Sequence, residues 1–161
     1  MKNTNYLNGM PVVCNGARIA RVLSVQLTPD LSRMAGLHVD RGLGGRRYIP
    51  AERVRLMGEL AVLVEPGYAK NDAPPALPRL ALSPDGAHIG CITGAWLEET
   101  GYGVESLELS GGILQDLFTG RMRVRRYHVQ KEKGEVIIDE EELPRRHAQG
   151  SFVMQQEGEQ T

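Results

Sequence analysis

The sequence predicts an all-β protein built from two tandem small β-barrels joined by a Pro-rich linker, and three observations carry that expectation. The stretch Asn15-Gly16-Ala17-Arg18-Ile19-Ala20-Arg21-Val22-Leu23 reappears as Asp85-Gly86-Ala87-His88-Ile89-Gly90-Cys91-Ile92-Thr93, with Gly86 standing 70 residues after Gly16. The same offset holds through Leu27/Leu97, Leu37/Leu107 and Val39/Leu109, which is how a duplicated structural unit announces itself. Between the copies, residues 66–78 hold four prolines (Pro66, Pro74, Pro75, Pro78) and no periodicity, as a semi-rigid spacer does. The expected division is a first barrel over 9–65, the linker over 66–78, a second barrel over 79–141 and a poorly ordered tail over 142–161, rich in Gln, Glu and Arg.

Each copy opens on a short apolar segment, Met10-Pro11-Val12-Val13 or Leu80-Ala81-Leu82, that runs into Asn-Gly or Asp-Gly. These dipeptides take up positive φ readily and predict hairpin turns. The next segment alternates like a half-buried strand, with Ile19, Val22, Val25 and Leu27 inward in one copy and Ile89, Ile92, Ala95 and Leu97 in the other. The alternation slips between Ile19 and Val22, which predicts a bulge. A turn then leads to a strand centred on Gly36-Leu37-His38-Val39, or Ser106-Leu107-Glu108-Leu109. Beyond it the offset lengthens to 75, aligning Tyr48-Ile49-Pro50 with Arg123-Val124-Arg125, Val54 with Val129, and Ala61-Val62-Leu63-Val64 with Val136-Ile137-Ile138-Asp139 as the closing strand. Residues 51–57 fit either a helical turn or irregular chain. Five or six short strands per copy, punctuated by turn signals, argue for a closed or nearly closed small barrel.

The repeated Gly-x-x-Ile-Gly/Ala-x-Val/Ile step (Gly16 to Val22, Gly86 to Ile92), the Tyr48-Ile49-Pro50 step and the closing Val62-Leu63-Val64 or Val136-Ile137-Ile138 strand resemble the PRC-barrel domains. That family is named after the cytoplasmic domain of the photosynthetic reaction centre H subunit and includes the C-terminal domain of the ribosome maturation factor RimM. The resemblance spans both copies and implies a small β-barrel used as a docking module. It supplies no catalytic residue. The chain differs from the reaction-centre subunit in showing no membrane helix, and from the maturation factor in having a PRC-like first half.

The charge balance, 19 Lys plus Arg against 20 Asp plus Glu, exerts no global pull on nucleic acid or anionic membranes, so such binding would need a local patch. No run approaches the ~18 apolar residues of a membrane span. The first eight residues lack the apolar segment of a secretory signal, so a cytoplasmic location without membrane insertion is expected. Cys14 and Cys91 fall at different repeat positions, opposite Pro84 and Arg21, and read as reduced thiols. His38, His88 and His128 align with the charged Glu108, Arg18 and Arg53, which predicts solvent-facing positions, and His147 sits in the tail. No metal-binding, calcium-loop, nucleophile-elbow or Walker pattern is present. No catalytic residue, cofactor or metal site is expected, and the chain reads as a non-enzyme.

Three features remain as candidate contact elements. Trp96, the sole tryptophan, aligns with the polar Gln26 between the inward Ala95 and Leu97, which places it on an outer face as an anchor for the other barrel, a second subunit or an external partner. Alternation places Arg121, Arg123 and Arg125 in one outward row with Met122 and Val124 inside, able to hold an acidic protein surface or RNA phosphates, or to blunt an edge strand. The insertion in the second copy, with Ile113, Leu114, Leu117 and Phe118, adds an apolar loop without a core slot. The expected function is protein–protein interaction or assembly, with self-association as one form of it. The alternative is RNA or ribosome-assembly binding, held back by the scarcity of base-stacking aromatics.

Overall fold

The computed structural model describes residues 1–67, 79–112, 120–130 and 132–143. The expected linker core, the Ile113–Phe118 loop and nearly all of the tail therefore lie outside the described residues. Thirteen strands, one single-turn α-helix and three 3-10 turns make up the rest, so the chain is all-β in two units. The first unit is a curled six-stranded sheet in the order β5-β4-β3-β2-β7-β6, comprising β2 (Pro11–Cys14), β3 (Ala17–Leu27), β4 (Met34–Asp40), β5 (Arg46–Pro50), β6 (Val54–Met57) and β7 (Val62–Val64). The second repeats that order as β11-β10-β9-β8-β13-β12, from β8 (Arg79–Leu82), β9 (His88–Leu97), β10 (Val104–Ser110), β11 (Met122–Val124), β12 (Tyr127–Gln130) and β13 (Glu135–Ile138).

The duplication holds at the level of individual residue pairs. Val25 faces Leu37 and Leu37 faces Ile49, while Ala95 faces Leu107 and Leu107 faces Val124. Both units skip a residue of the long strand at the same place, Leu23 in β3 and Thr93 in β9. A second skip falls at Ile19 and Ile89, so the predicted slip resolves into two bulges flanking Val22 and Ile92. Each unit also carries one parallel pair, Val12 with Val62 and Ala81 with Val136.

That parallel register corrects the sequence alignment at both ends. Val62 corresponds to Val136, not to Ile137, and Val12 to Ala81. At the closing strand the cause is the connections around β6 and β12, which differ in length between the units. At the opening strand it is the first hairpin, where Asn15 and Gly16, at φ 50° and 78°, make a two-residue turn of the left-handed kind, whereas Ser83 to Ala87 closes around Pro84-Asp85-Gly86 with one residue more. Cys14 therefore corresponds to Ser83 rather than Pro84. His128 corresponds to Leu56 rather than Arg53, because β6 and β12 pair as Leu56 with Leu63 and His128 with Ile137. Residues 51–57 divide into a 3-10 turn (Ala51–Arg53) and strand β6.

Buried side chains of both units join in one core, including Val22, Leu37, Val39, Ile49 and Val62 from the first and Ile92, Leu97, Leu107, Val124 and Ile138 from the second. The units meet across an approximate two-fold. Arg33 and Gly103, 70 residues apart, form an antiparallel bridge flanked by Val104 N–H donating to Ser32 O and Met34 N–H donating to Tyr102 O, both at 2.9 Å. Those partners exchange under the same 70-residue offset, so the contact is isologous in the sense of a symmetric dimer made within one chain. Tyr102 Oη donates to Val54 O at 3.3 Å, and Tyr127 Oη, in the place of Val54, donates to Leu31 O at 3.0 Å. Leu31 is fully buried at φ 58°, a costly backbone conformation for a branched residue, held by the loop around it.

Residues 1–8 complete the join. β1 (Lys2–Asn3) adds antiparallel to β9, pairing Lys2 with Leu97 and Asn3 with Trp96. The single-turn helix α1 (Thr4–Leu7), capped by the Asn3 side chain, packs against both β3 and β9 and buries Leu7. No described helix is long and apolar enough to cross a membrane.

Candidate docking face

The outer face of β9, β10 and β11 brings together Trp96 and the arginines of the predicted row. Trp96 is half-buried, faces Ser106 on β10, and lies beneath the Arg123 guanidinium at 4.6 Å from the ring centroid. Arg123 Nε also donates to Ser106 Oγ at 2.6 Å, and its terminal nitrogen meets Glu105. Arg125 pairs with Glu105 at 3.0 Å and Arg121 with Glu108 at 2.7 Å. The predicted arginine row thus exists on the outside, and two carboxylates of the neighbouring strand already match part of its charge. Burial raises the Glu105 pKa, but hydrogen bonds from Arg123 and Ser106 and the charges of Arg123 and Arg125 outweigh it and hold the carboxyl below its ordinary value.

Glu108 departs from the sequence expectation that it faces solvent. It is buried and accepts from Asn3 Nδ2 at 2.6 Å, Asn5 Nδ2 at 2.9 Å and Arg121 at 2.7 Å. A buried carboxylate demands such partners, and the N-terminal segment provides two of the three. Thr4 Oγ1 accepts from Ala95 N–H at 3.0 Å, and the Met1 ammonium meets Glu99 at 2.7 Å, holding that exposed carboxyl below its usual range. Gly94 makes room for this: a Cβ there would stand 2.6 Å from Asn5 Nδ2 and 3.1 Å from Thr4 Oγ1. The sequence reading gave residues 1–8 no structural part. The available signal was Gly94 standing where the first copy has Ser24.

The same three positions in the first unit are filled differently. Gln26, His38 and Tyr48 replace Trp96, Glu108 and Arg123. His38 is half-buried rather than solvent-facing, its Nε2 3.2 Å from Gln26 Oε1 and its ring 5.3 Å from that of Tyr48. Tyr48 lies across Gly36, where any Cβ would collide with it and with Ile49 O. Burial, with a smaller push from Glu52, raises the Tyr48 pKa. His88 and His128 are exposed as expected, with His128 3.6 Å from Asp139. His147 lies outside the described residues, as do Ile113, Leu114, Leu117 and Phe118.

Cys14 and Cys91 are free and half-buried. Among the described residues no three His, Cys, Asp or Glu side chains gather as metal ligands. Two open grooves lie on the first unit. One of about 420 Å³ runs between Val13, Asn15 and Leu63 and is crossed by the Arg55–Glu65 ion pair at 2.8 Å, and one of about 370 Å³ is lined by Arg18, Arg21, Asp40 and Arg41.

No family model and no curated protein matches the chain.

Proposed function

We propose that this chain is a non-enzymatic docking module built from two PRC-type barrels, working in the cytoplasm by presenting the outer face of its second unit to a protein partner. The observation that carries the reading is Trp96. An indole half-exposed under a guanidinium occupies a position that the first unit fills with Gln26, so the fold does not require it there. Trp and Arg together are the side chains on which binding energy concentrates when a partner excludes water from them. Arg121 and Arg125 remain largely exposed beside it. The edge of β9 also takes an added strand, β1, which is the backbone half of a strand-addition docking mode. Glu105 and Glu108 lower the net charge of the arginine row, which favours a protein surface over the phosphates of RNA.

The test is capture of partners from native lysate with and without nuclease, using wild type and Trp96→Ala. The reading expects a stoichiometric protein that survives nuclease and whose affinity falls by about 2 kcal/mol in the variant, with the near-ultraviolet signature of the fold otherwise kept. Ribosomal proteins that disappear with nuclease, or capture indifferent to Trp96→Ala, would overturn it.

A further inference from the structure

The opposite end of the first unit carries a cluster of charge that the docking face does not use. Arg18 and Arg21 on β3 and Arg41 after β4 converge on the groove of about 370 Å³, and Arg46 joins them because Arg21 faces Asp40 and Asp40 faces Arg46 across three adjacent strands. Arg47 follows on β5, and all five arginines are exposed. Among the described residues Arg18, Arg21, Arg46 and Arg47 form no ion pair, in contrast to Arg121, Arg123 and Arg125, each matched by a carboxylate. The carboxylate lining the groove is Asp40, whose Oδ1 accepts from Gly42 N–H at 2.9 Å. At the tip of the adjoining 3-10 turn (Gly42–Gly44), Leu43 stands fully exposed.

The second unit shows what the fold itself asks for at these places. His88, Cys91 and Gly111 stand where the first unit has Arg18, Arg21 and Arg41, Met122 stands for Arg47, and Arg121, in place of Arg46, is engaged by Glu108. Strand order and register are nonetheless the same, so the arginines are not there to build the barrel. Clustered guanidinium groups raise a local positive potential and bind carboxylates through paired N–H donors.

We infer that this groove is a second docking site, for an acidic protein segment in which an apolar side chain among the carboxylates packs on Leu43. The inference rests on the docking-module reading and names the chemistry of one partner surface. A carboxylate-bearing segment fits better than a nucleic acid because an exposed leucine sits among the arginines, and because Tyr48, the aromatic ring on β5, is folded over Gly36 and His38 instead of offering a stacking platform.

The full-length protein is titrated with a fluorescein-labelled peptide of glutamates interspersed with leucines, and with an oligouridylate of equal charge. The peptide is expected to bind more tightly than the oligouridylate, to weaken with salt, and to lose about tenfold or more in affinity in Arg18→Glu/Arg21→Glu. Arg18→Gln/Arg21→Gln, which adds no repulsion, guards against a folding defect and is expected to fall between that variant and wild type. Leu43→Ser is expected to weaken the peptide while leaving the oligouridylate unchanged. Tighter binding of the oligouridylate, no binding of the peptide, or equal peptide binding by wild type and both arginine variants would overturn the inference. The docking-module reading fails separately, through Trp96→Ala: a lysate partner lost with Trp96, alongside equal peptide binding by wild type and both arginine variants, would leave that reading standing and remove this one.

Discussion

At the scale of single residues, the burial of Glu108 binds the N-terminal segment to the second unit. Replacing it with Ala leaves the amides of Asn3 and Asn5 and the Arg121 guanidinium without their acceptor, and a loss of about 1–3 kcal/mol is expected in denaturant unfolding. Gly94→Ala acts on the same segment from below: its methyl meets the Asn5 amide that donates to Glu108, so the expected result is a shifted N-terminus, a more solvated Trp96 emission and a loss of stability smaller than that of Glu108→Ala. Gly36→Ala meets the Ile49 carbonyl, which cannot swing away, and is expected to cost about 1–3 kcal/mol, read as the drop in unfolding midpoint from wild type. Asp30 adds a pH dependence. Hydrogen bonds from Thr28 and Ser32 lower its pKa from 3.8 to about 2. A depressed carboxyl contributes stability that is whole above the unfolded value and lost as pH falls through the folded one. Melting followed below pH 4 is therefore expected to drop less steeply for Asp30→Asn than for wild type.

Among the elements, the strands were legible in the sequence because a period of two with turn dipeptides at the ends has few other readings. Leu27/Leu97, Leu37/Leu107 and Ile49/Val124 all stand where alternation placed them. The closing strands were placed one residue out because the connections around β6 and β12 differ in length without disturbing the alternation on either side, and only the parallel pairing of β2 with β7 and β8 with β13 exposes the shift. Segment 1–8 left only the indirect trace of Gly94 in place of Ser24: two residues of strand and one turn of helix have no periodicity, and their partners lie about a hundred residues away. Trp96 and the arginine row were legible as outward side chains, but the carboxylates matching them were not, since Glu105 and Arg125 meet only once β10 and β11 pair. Deleting residues 1–5 is expected to uncover the β9 edge, redden the Trp96 emission and promote strand-edge association at raised concentration, observable by light scattering.

Over the whole molecule, the two units behave as a symmetric dimer whose subunits share one chain. Their contact combines the Arg33–Gly103 bridge, the crossed tyrosines and the side chains of Leu7, Leu31 and Met34, all fully buried. Burial raises the pKa of both Tyr102 and Tyr127, with Asp30 adding to the shift at Tyr127. A group whose folded pKa is raised contributes stability that is complete below the unfolded value and declines as pH climbs through the folded one. Thermal stability is thus expected to fall above about pH 10, and less so in Tyr102→Phe/Tyr127→Phe, which starts about 1–3 kcal/mol lower for its two lost hydrogen bonds. The proposed docking depends on the repeats being fused at this two-fold into one cooperative body. Residue-resolved amide hydrogen exchange at Met34 and Val104 tests it most directly. Protection equal to that of Leu37 and Leu107 in the cores is the expected result, and exchange at the rate of an open loop, with both cores still protected, would contradict it.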